Sequence, residues 1–462
     1  MSLFAQEARS YTERRYQPTD LSQGCMMKNY QSMDHFWMPF TANRAFKASP
    51  RIVERAEGMW LYSDKGQKIL DATAGLWCVN AGHGRQQIAE AVSKQIQTLD
   101  YTSPFNLGHD IGFEFAERLV KHSPAGLDRV FFACSGSEAV ESALKIALAY
   151  QNARGKGGKY RFIGREKAYH GVNFGGISVG GLTPNRKGFG PLLPVDHLPH
   201  TLDLERNAFS RGLPEFGIER AEALENLLQF HGPESIAAVI VEPVSGAGGV
   251  ILPPLGYLQK LREICTRHDV LLIFDEVICG WGRLGDAFGS VRFDVQPDMI
   301  TSAKGITNGT LPLGAVFVKN EIYDTVLNAA PEGQVEFFHG YTYSAHPVAC
   351  AAGLATLDIY EQEGLLQRGS GEVGVYFEEA LHSLKGLPGV VDVRNCGFIG
   401  AVQFAAADGA LKGPAIMKRC YELGMSVRAV GDIIALSPPL IIEKEHIDQI
   451  VDIFRQISKE MF

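Results

Sequence analysis

Between residues 75 and 345, short uninterrupted apolar runs alternate with helical segments, and that alternation leaves few architectures open. RVFFA (Arg129–Ala133), AAVIVEPV (Ala237–Val244) and DVLLIFDEV (Asp269–Val277) read as strands. None alternates polar with apolar residues, so both faces of each must be covered. The intervening CSGSEAVESALKIALAY and GYLQKLREICTRH have helical patterning. Repetition of strand, loop and helix predicts an α/β fold with a mainly parallel central sheet and helices on both faces.

Outside that region the pattern changes. GEVGVYFEEALHSLKG and EKEHIDQIVDIFRQISKEMF read as amphipathic helices around the shorter strands VVDVRN and GMSVRA, which predicts a smaller α+β domain over 346–462. Residues 1–74 contain GMWLYSDKGQKILDATAG, a hairpin-like pattern turning at Asp64-Lys65-Gly66, and are expected to pack with that smaller domain. The large domain is then 75–345. Composition narrows the function classes. A net charge of −8 argues against a nucleic-acid binder. Eight scattered cysteines without a CxxC pair read as reduced thiols of a cytoplasmic protein, with no metal site. No apolar run reaches the roughly 18 residues of a membrane helix. The charged N-terminus is not a secretory signal, and its first residues are expected to be loose.

In parallel α/β sheets ligands bind beyond the carboxyl ends of the strands, and three such places carry unusual residues. In CSGSEA, Ser135, Gly136 and Ser137 form a tight turn opening a helix, where free N–H groups attract an anion. A serine N-cap explains the same residues. In IFDEV, Asp275 ends an apolar run, and a desolvated carboxylate there needs a partner. A protonated ring nitrogen would suit it, as would loop N–H groups, and Glu276 could equally be the structural one of the pair. In MITSAKGITNGTLPLGA, Lys304 is the only charge. In low dielectric its amine is held neutral and nucleophilic, whereas a snorkelling lysine keeps its amine in water. Pyridoxal phosphate carries the three matching handles: a phosphate, a ring nitrogen and an aldehyde.

The stretches LLIFDEVICGWGRLG, ITSAKGITNGTLPLGA, FFACSGSEAVESALKIA, AYHGV and HGYTYSAHPVACAAGLA resemble the class III aminotransferases, pyridoxal-phosphate enzymes of fold type I. The resemblance runs from about Trp37 to the C-terminal helices. HFWMPFTANRAF, LDATAGLWCVNAGHGR, LDYTSPFNLGH and DHLPHTLDLERNAFSRGLPEFG resemble more narrowly the branch that uses β- or ω-amino acids with pyruvate. The resemblance makes Lys304 the lysine that joins the cofactor and moves the substrate proton. It gives Asp275 the ring nitrogen, and Ser135, Gly136 and Ser137 the phosphate. Tyr169 stacks on the ring, Val277 packs on its other face, and His170 and Glu242 lie nearby. Thr342 reaches the phosphate of a second subunit, which implies a homodimer with shared active sites and leaves tetramers open. Arg428 binds the substrate carboxylate and Trp77 lines the substrate pocket. An exposed edge-strand arginine and a core tryptophan are the plain alternatives.

The expected reaction is a ping-pong transamination from an amine to pyruvate, giving alanine. Within the family, 4-aminobutyrate or a diamine is the alternative donor. A nucleotide-binding oxidoreductase is disfavoured because no GxGxxG follows an early strand, and a regulator because no basic helix-turn-helix is present.

Overall fold

The apolar runs become a seven-stranded sheet. In the computed structural model, which describes Tyr30 and residues 32–406 and 411–462, its strands are β1 (Arg129–Ala133), β2 (Arg161–Arg165), β3 (Val195–Leu198), β4 (Ile236–Val241), β5 (Leu271–Asp275), β6 (Met299–Ser302) and β7 (Gly314–Val318). Their order is β1-β7-β6-β5-β4-β2-β3. Neighbours from β6 across to β3 pair parallel. Only β7 is reversed, antiparallel to both β6 and β1.

The continuous hydrophobicity of the central strands has its cause in two separate cores. Along β5, Leu272 and Phe274 enter one apolar cluster while Leu271 and Ile273 enter another. Along β4, Val239 and Val241 oppose Ala238 and Ile240 in the same way. The second cluster is completed by Ala139, Val140, Ala143, Leu144 and Ala147 of helix α1 (Gly136–Ala153). Every residue of β4, β5, β6 and β7 is buried. Burying one such aliphatic or aromatic side chain contributes about 1.5–3 kcal/mol, so a polar residue on either face of these strands would be costly.

Two strands are shorter than their apolar runs. β4 stops at Val241, before Glu242 and Pro243, and β5 begins only after Asp269, whose φ of +51° is left-handed. GMSVRA divides in two. Met425–Ser426 pairs parallel with Lys68–Asp71, whereas Arg428–Val430 pairs antiparallel with Ile433–Leu436. The latter belong to a four-stranded antiparallel sheet with Val390–Cys396 and Ile399–Phe404. The two predicted C-terminal helices are Glu372–His382 and Lys444–Met461.

The chain forms two units, one made of residues up to Glu54 with Tyr62–Gln67, the other of Arg55–Leu61 with Lys68–Phe462. In the first, the predicted turn forms at Asp64–Gly66: Gly66 has φ +73°, and its N–H donates to Ser63 O at 3.0 Å. The expected looseness of the first residues and the state of Cys25 lie outside the described residues. The seven described cysteines are all free thiols. Among the described residues no helix is long and apolar enough to cross a membrane, and no cluster of side chains suits a metal ion.

Candidate active site

Five of the sheet's strands end at one cavity of about 130 Å³. β1 leads to Ser135, Gly136 and Ser137, β2 to Tyr169 and His170, β4 to Glu242, β5 to Asp275 with Val277, and β6 to Lys304. Nine of the twelve residues singled out in the sequence therefore line a single space. Gly171 and Ile278 line it too. Both directly follow recognised residues, so their adjacency to His170 and Val277 was the available signal.

Asp275 is 4% exposed. Its Oδ1 accepts from Thr301 Oγ1 at 3.0 Å and from the Val277 N–H at 3.1 Å. Its Oδ2 contacts His170 Nδ1 at 2.7 Å. A carboxylate has about four acceptor positions, so one remains for a donor in the cavity. His170 Nε2 is buried and has no hydrogen-bond partner among the described residues. Thr301, a strand threonine, had no sequence signal. Glu276 takes the structural role: its carboxylate accepts from the N–H groups of Gly289 and, at 2.7 Å, Ser290. Burial pushes its carboxyl up to about 7.

Lys304 has a left-handed φ of +54° and starts a short 3-10 turn that Asn308 ends in the same region, at +52°. Left-handed backbone costs roughly 1–2 kcal/mol per non-glycine residue. Burial pushes the lysine amine below its ordinary value, against the pull of the Asp275 carboxylate. Lys304 lines the cavity together with Asp275.

At the start of α1, Ser135 is indeed the N-cap, its Oγ accepting from the Glu138 N–H at 3.2 Å. The cap leaves room for the anion reading, because the first-turn N–H groups of Gly136 and Ser137 have no partner within their own helix. Space forces Gly136 to be glycine: a methyl group there would come within 2.9 Å of Val277 Cγ1. Ser137 Oγ accepts from the Val172 N–H at 3.2 Å. Glu242 accepts from the Tyr169 N–H at 3.1 Å, Ser245 Oγ at 2.9 Å and the Gly246 N–H at 3.0 Å. Burial raises its carboxyl, with the His170 ring opposing.

The other three residues lie elsewhere. Trp77 is 3% exposed, has φ +64° and belongs to the main core cluster. Thr342 is exposed, and its carbonyl accepts from Tyr101 OH at 3.0 Å. Arg428 is exposed at the start of its edge strand, yet its charge reaches the Tyr169 hydroxyl, opposing the rise that burial causes there. The first turn of a helix, a carboxylate with a free acceptor position and a lysine line one space. That set fits a molecule carrying a phosphate, a protonated ring nitrogen and an aldehyde.

The chain is similar to known proteins over most of its length. Residues 41–458 match the family described as aminotransferase class-III. An omega-aminotransferase of Caulobacter vibrioides is 54% identical, covering 92% of this chain and 97% of its own. A beta-alanine–pyruvate aminotransferase of Pseudomonas aeruginosa is 49% identical, covering 90% and 93%. Among solved structures, an omega transaminase of Pseudomonas jessenii in complex with PMP superposes with a TM-score of 0.86 at 34% identity, covering 93% and 96%.

Proposed function

This chain belongs to the class III aminotransferases, and from that premise we propose that it moves an amino group from a β- or ω-amino acid, or a primary amine, to pyruvate, giving alanine. The observation that carries the reading is that Lys304 and the Asp275 carboxylate line one cavity, where burial lowers the lysine amine's pKa. The family depends on pyridoxal phosphate, which supplies an aldehyde for amines and a ring that accepts electron density from a carbon losing its proton.

The protein's own residues do the rest. Asp275, held by His170 and Thr301, keeps the ring nitrogen protonated. Ser135, Gly136 and Ser137 hold the phosphate at the start of α1. Tyr169 and Val277 hold the two ring faces, and Glu242 fixes the Tyr169 backbone. Lys304, whose amine burial pushes below its ordinary value, would be the base that takes the proton from the donor carbon. Arg428 takes the carboxylate of pyruvate through its guanidinium fork and swings away when the substrate group is apolar. Its exposure and its reach to Tyr169 support that role.

We read 75–345 as the cofactor domain and 346–462, joined by the segment up to 74, as the smaller one. The parallel pairing of Lys68–Asp71 with Met425–Ser426 supports that grouping. Thr342 serves the site of a second copy in a cytoplasmic homodimer. Exposed Phe105, Phe113, Phe338 and Tyr343 support an interface, since aromatic side chains are enriched at contact sites. The test is an absorbance spectrum of the cofactor-loaded protein before and after β-alanine without pyruvate, with Lys304→Ala as control. Loss of the visible band, restored by pyruvate, is expected. A protein that pyridoxal phosphate cannot colour would overturn the reading. A coloured protein bleached only by 4-aminobutyrate or a diamine would change the donor.

A further inference from the structure

A second buried aspartate lies away from the cavity residues described above. Asp71 has no exposed surface, and its carboxylate accepts four hydrogen bonds. Oδ1 takes the Thr73 N–H and Oγ1, both at 3.1 Å. Oδ2 takes the Gly75 N–H at 2.6 Å and His83 Nε2 at 2.8 Å. These bonds clamp a turn whose backbone is strained. Ala74, Gly75 and Trp77 all have positive φ, at +47°, +67° and +64°. An L residue leaves that region unless its surroundings hold it there.

The clamped segment runs onto the turn that carries Lys304. Gly309 N–H donates to Lys304 O at 3.1 Å, and a methyl group on Gly309 would come within 3.0 Å of Cys78 Sγ. Ala81 N–H donates to Asn308 Oδ1 at 2.7 Å, while Asn308 Nδ2 donates to Gly82 O at 3.0 Å. On its other side Asp71 is the strand partner of Ser426, two residues before Arg428, and Ala72 N–H donates to Ser426 O at 3.1 Å. One carboxylate thus connects the Trp77 turn, the Lys304 turn and the strand leading to the arginine.

We propose that Asp71, oriented by His83, is a positioning residue that sets amine selectivity by fixing the Ala74–Cys78 turn relative to Lys304 and Arg428. It touches no reacting atom. Leu76, at the crest of the turn and 53% exposed, is the side chain whose place it decides. The inference rests on the transaminase reading above.

The test uses cofactor-loaded Asp71→Asn and His83→Ala proteins, assayed with pyruvate against β-alanine and against an arylalkyl amine. In Asp71→Asn the single amide oxygen cannot accept from Thr73 on one side and from Gly75 and His83 on the other, and the NH2 group meets a donor whichever way it turns. KM should rise about tenfold with kcat changed less than about threefold, and the kcat/KM ratio of the two donors should shift at least about fivefold. His83→Ala should shift that ratio in the same direction by about twofold. Both should retain the cofactor's visible band. Unaltered KM values and ratio in the variants that fold would overturn the proposal, however much their melting temperatures fall, because a purely structural aspartate would lower stability alone. If Asp71→Asn does not fold, His83→Ala and Thr73→Val decide on the same readouts. Failure of the parent protein to transfer nitrogen from any amine would overturn the transaminase reading instead.

Discussion

Asp275 and Asp71 are both buried, yet they do opposite things. Asp275 accepts three hydrogen bonds and faces a cavity. Asp71 accepts four and faces none of the described cavities. A carboxylate with an acceptor position in reserve can recognise a ligand. A saturated one can only shape the chain around it. Counting donors separates the two roles where burial alone does not, because both groups are almost wholly removed from water.

The sharpest way to break that contrast is to delete the saturated group. Asp71→Ala strands the N–H groups of Thr73 and Gly75 together with the His83 ring, and should cost about 3–5 kcal/mol of stability in urea unfolding. Asp275→Asn should do the reverse. It leaves the melting temperature within a few degrees but lowers kcat/KM by about 10²–10³, the usual loss when a preorganised charge is removed. Equal stability losses in the two variants would erase the distinction. Arg428→Ala should raise the KM for pyruvate about thirtyfold while sparing an apolar amine donor, about 2 kcal/mol for one charged contact. Full pyruvate turnover in that variant would remove Arg428 from the site.

A smaller effect separates these aspartates from acid lability. His382 is driven down to about 4 by burial, with the Arg211 charge adding to it. Its folded value lies below the ordinary 6.5, so the unfolded chain takes up the proton first. The associated stability is present above pH 6.5 and is lost as the pH falls towards 4. His382→Leu should therefore flatten the unfolding free energy across that window by about 1–2 kcal/mol. An unchanged slope would place the acid sensitivity elsewhere.

Much of the site was legible because its residues punctuate apolar strands. A charge after MITSA or at the end of LLIF stands out in sequence, and the fold brings both to one cavity. Asp71 follows the apolar Ile69 and Leu70 just as Asp275 follows Phe274, so the pattern flags an aspartate without counting its donors. Those come from Thr73, Gly75 and His83, and only the folded turn shows that all three reach one carboxylate. The split of GMSVRA was hidden for a similar reason. Two short strands with different partners share one apolar pattern, and only long-range pairing tells them apart. Trp77 shows the limit from the other side: its packing in the core satisfies the composition of its segment without deciding its part in substrate choice.

The reversed strand β7 has an electrostatic consequence. A parallel crossover after β6 would set a helix beyond that strand, with its positive end at the lysine. Because β7 runs back antiparallel, Lys304 is followed by a four-residue 3-10 turn and then by strand. The eighteen-residue helix stands instead after β1, at the other side of β7. Strand direction thereby sorts charge across the site. The macrodipole's positive end is given to the turn proposed to receive an anion and withheld from the lysine proposed to accept a proton.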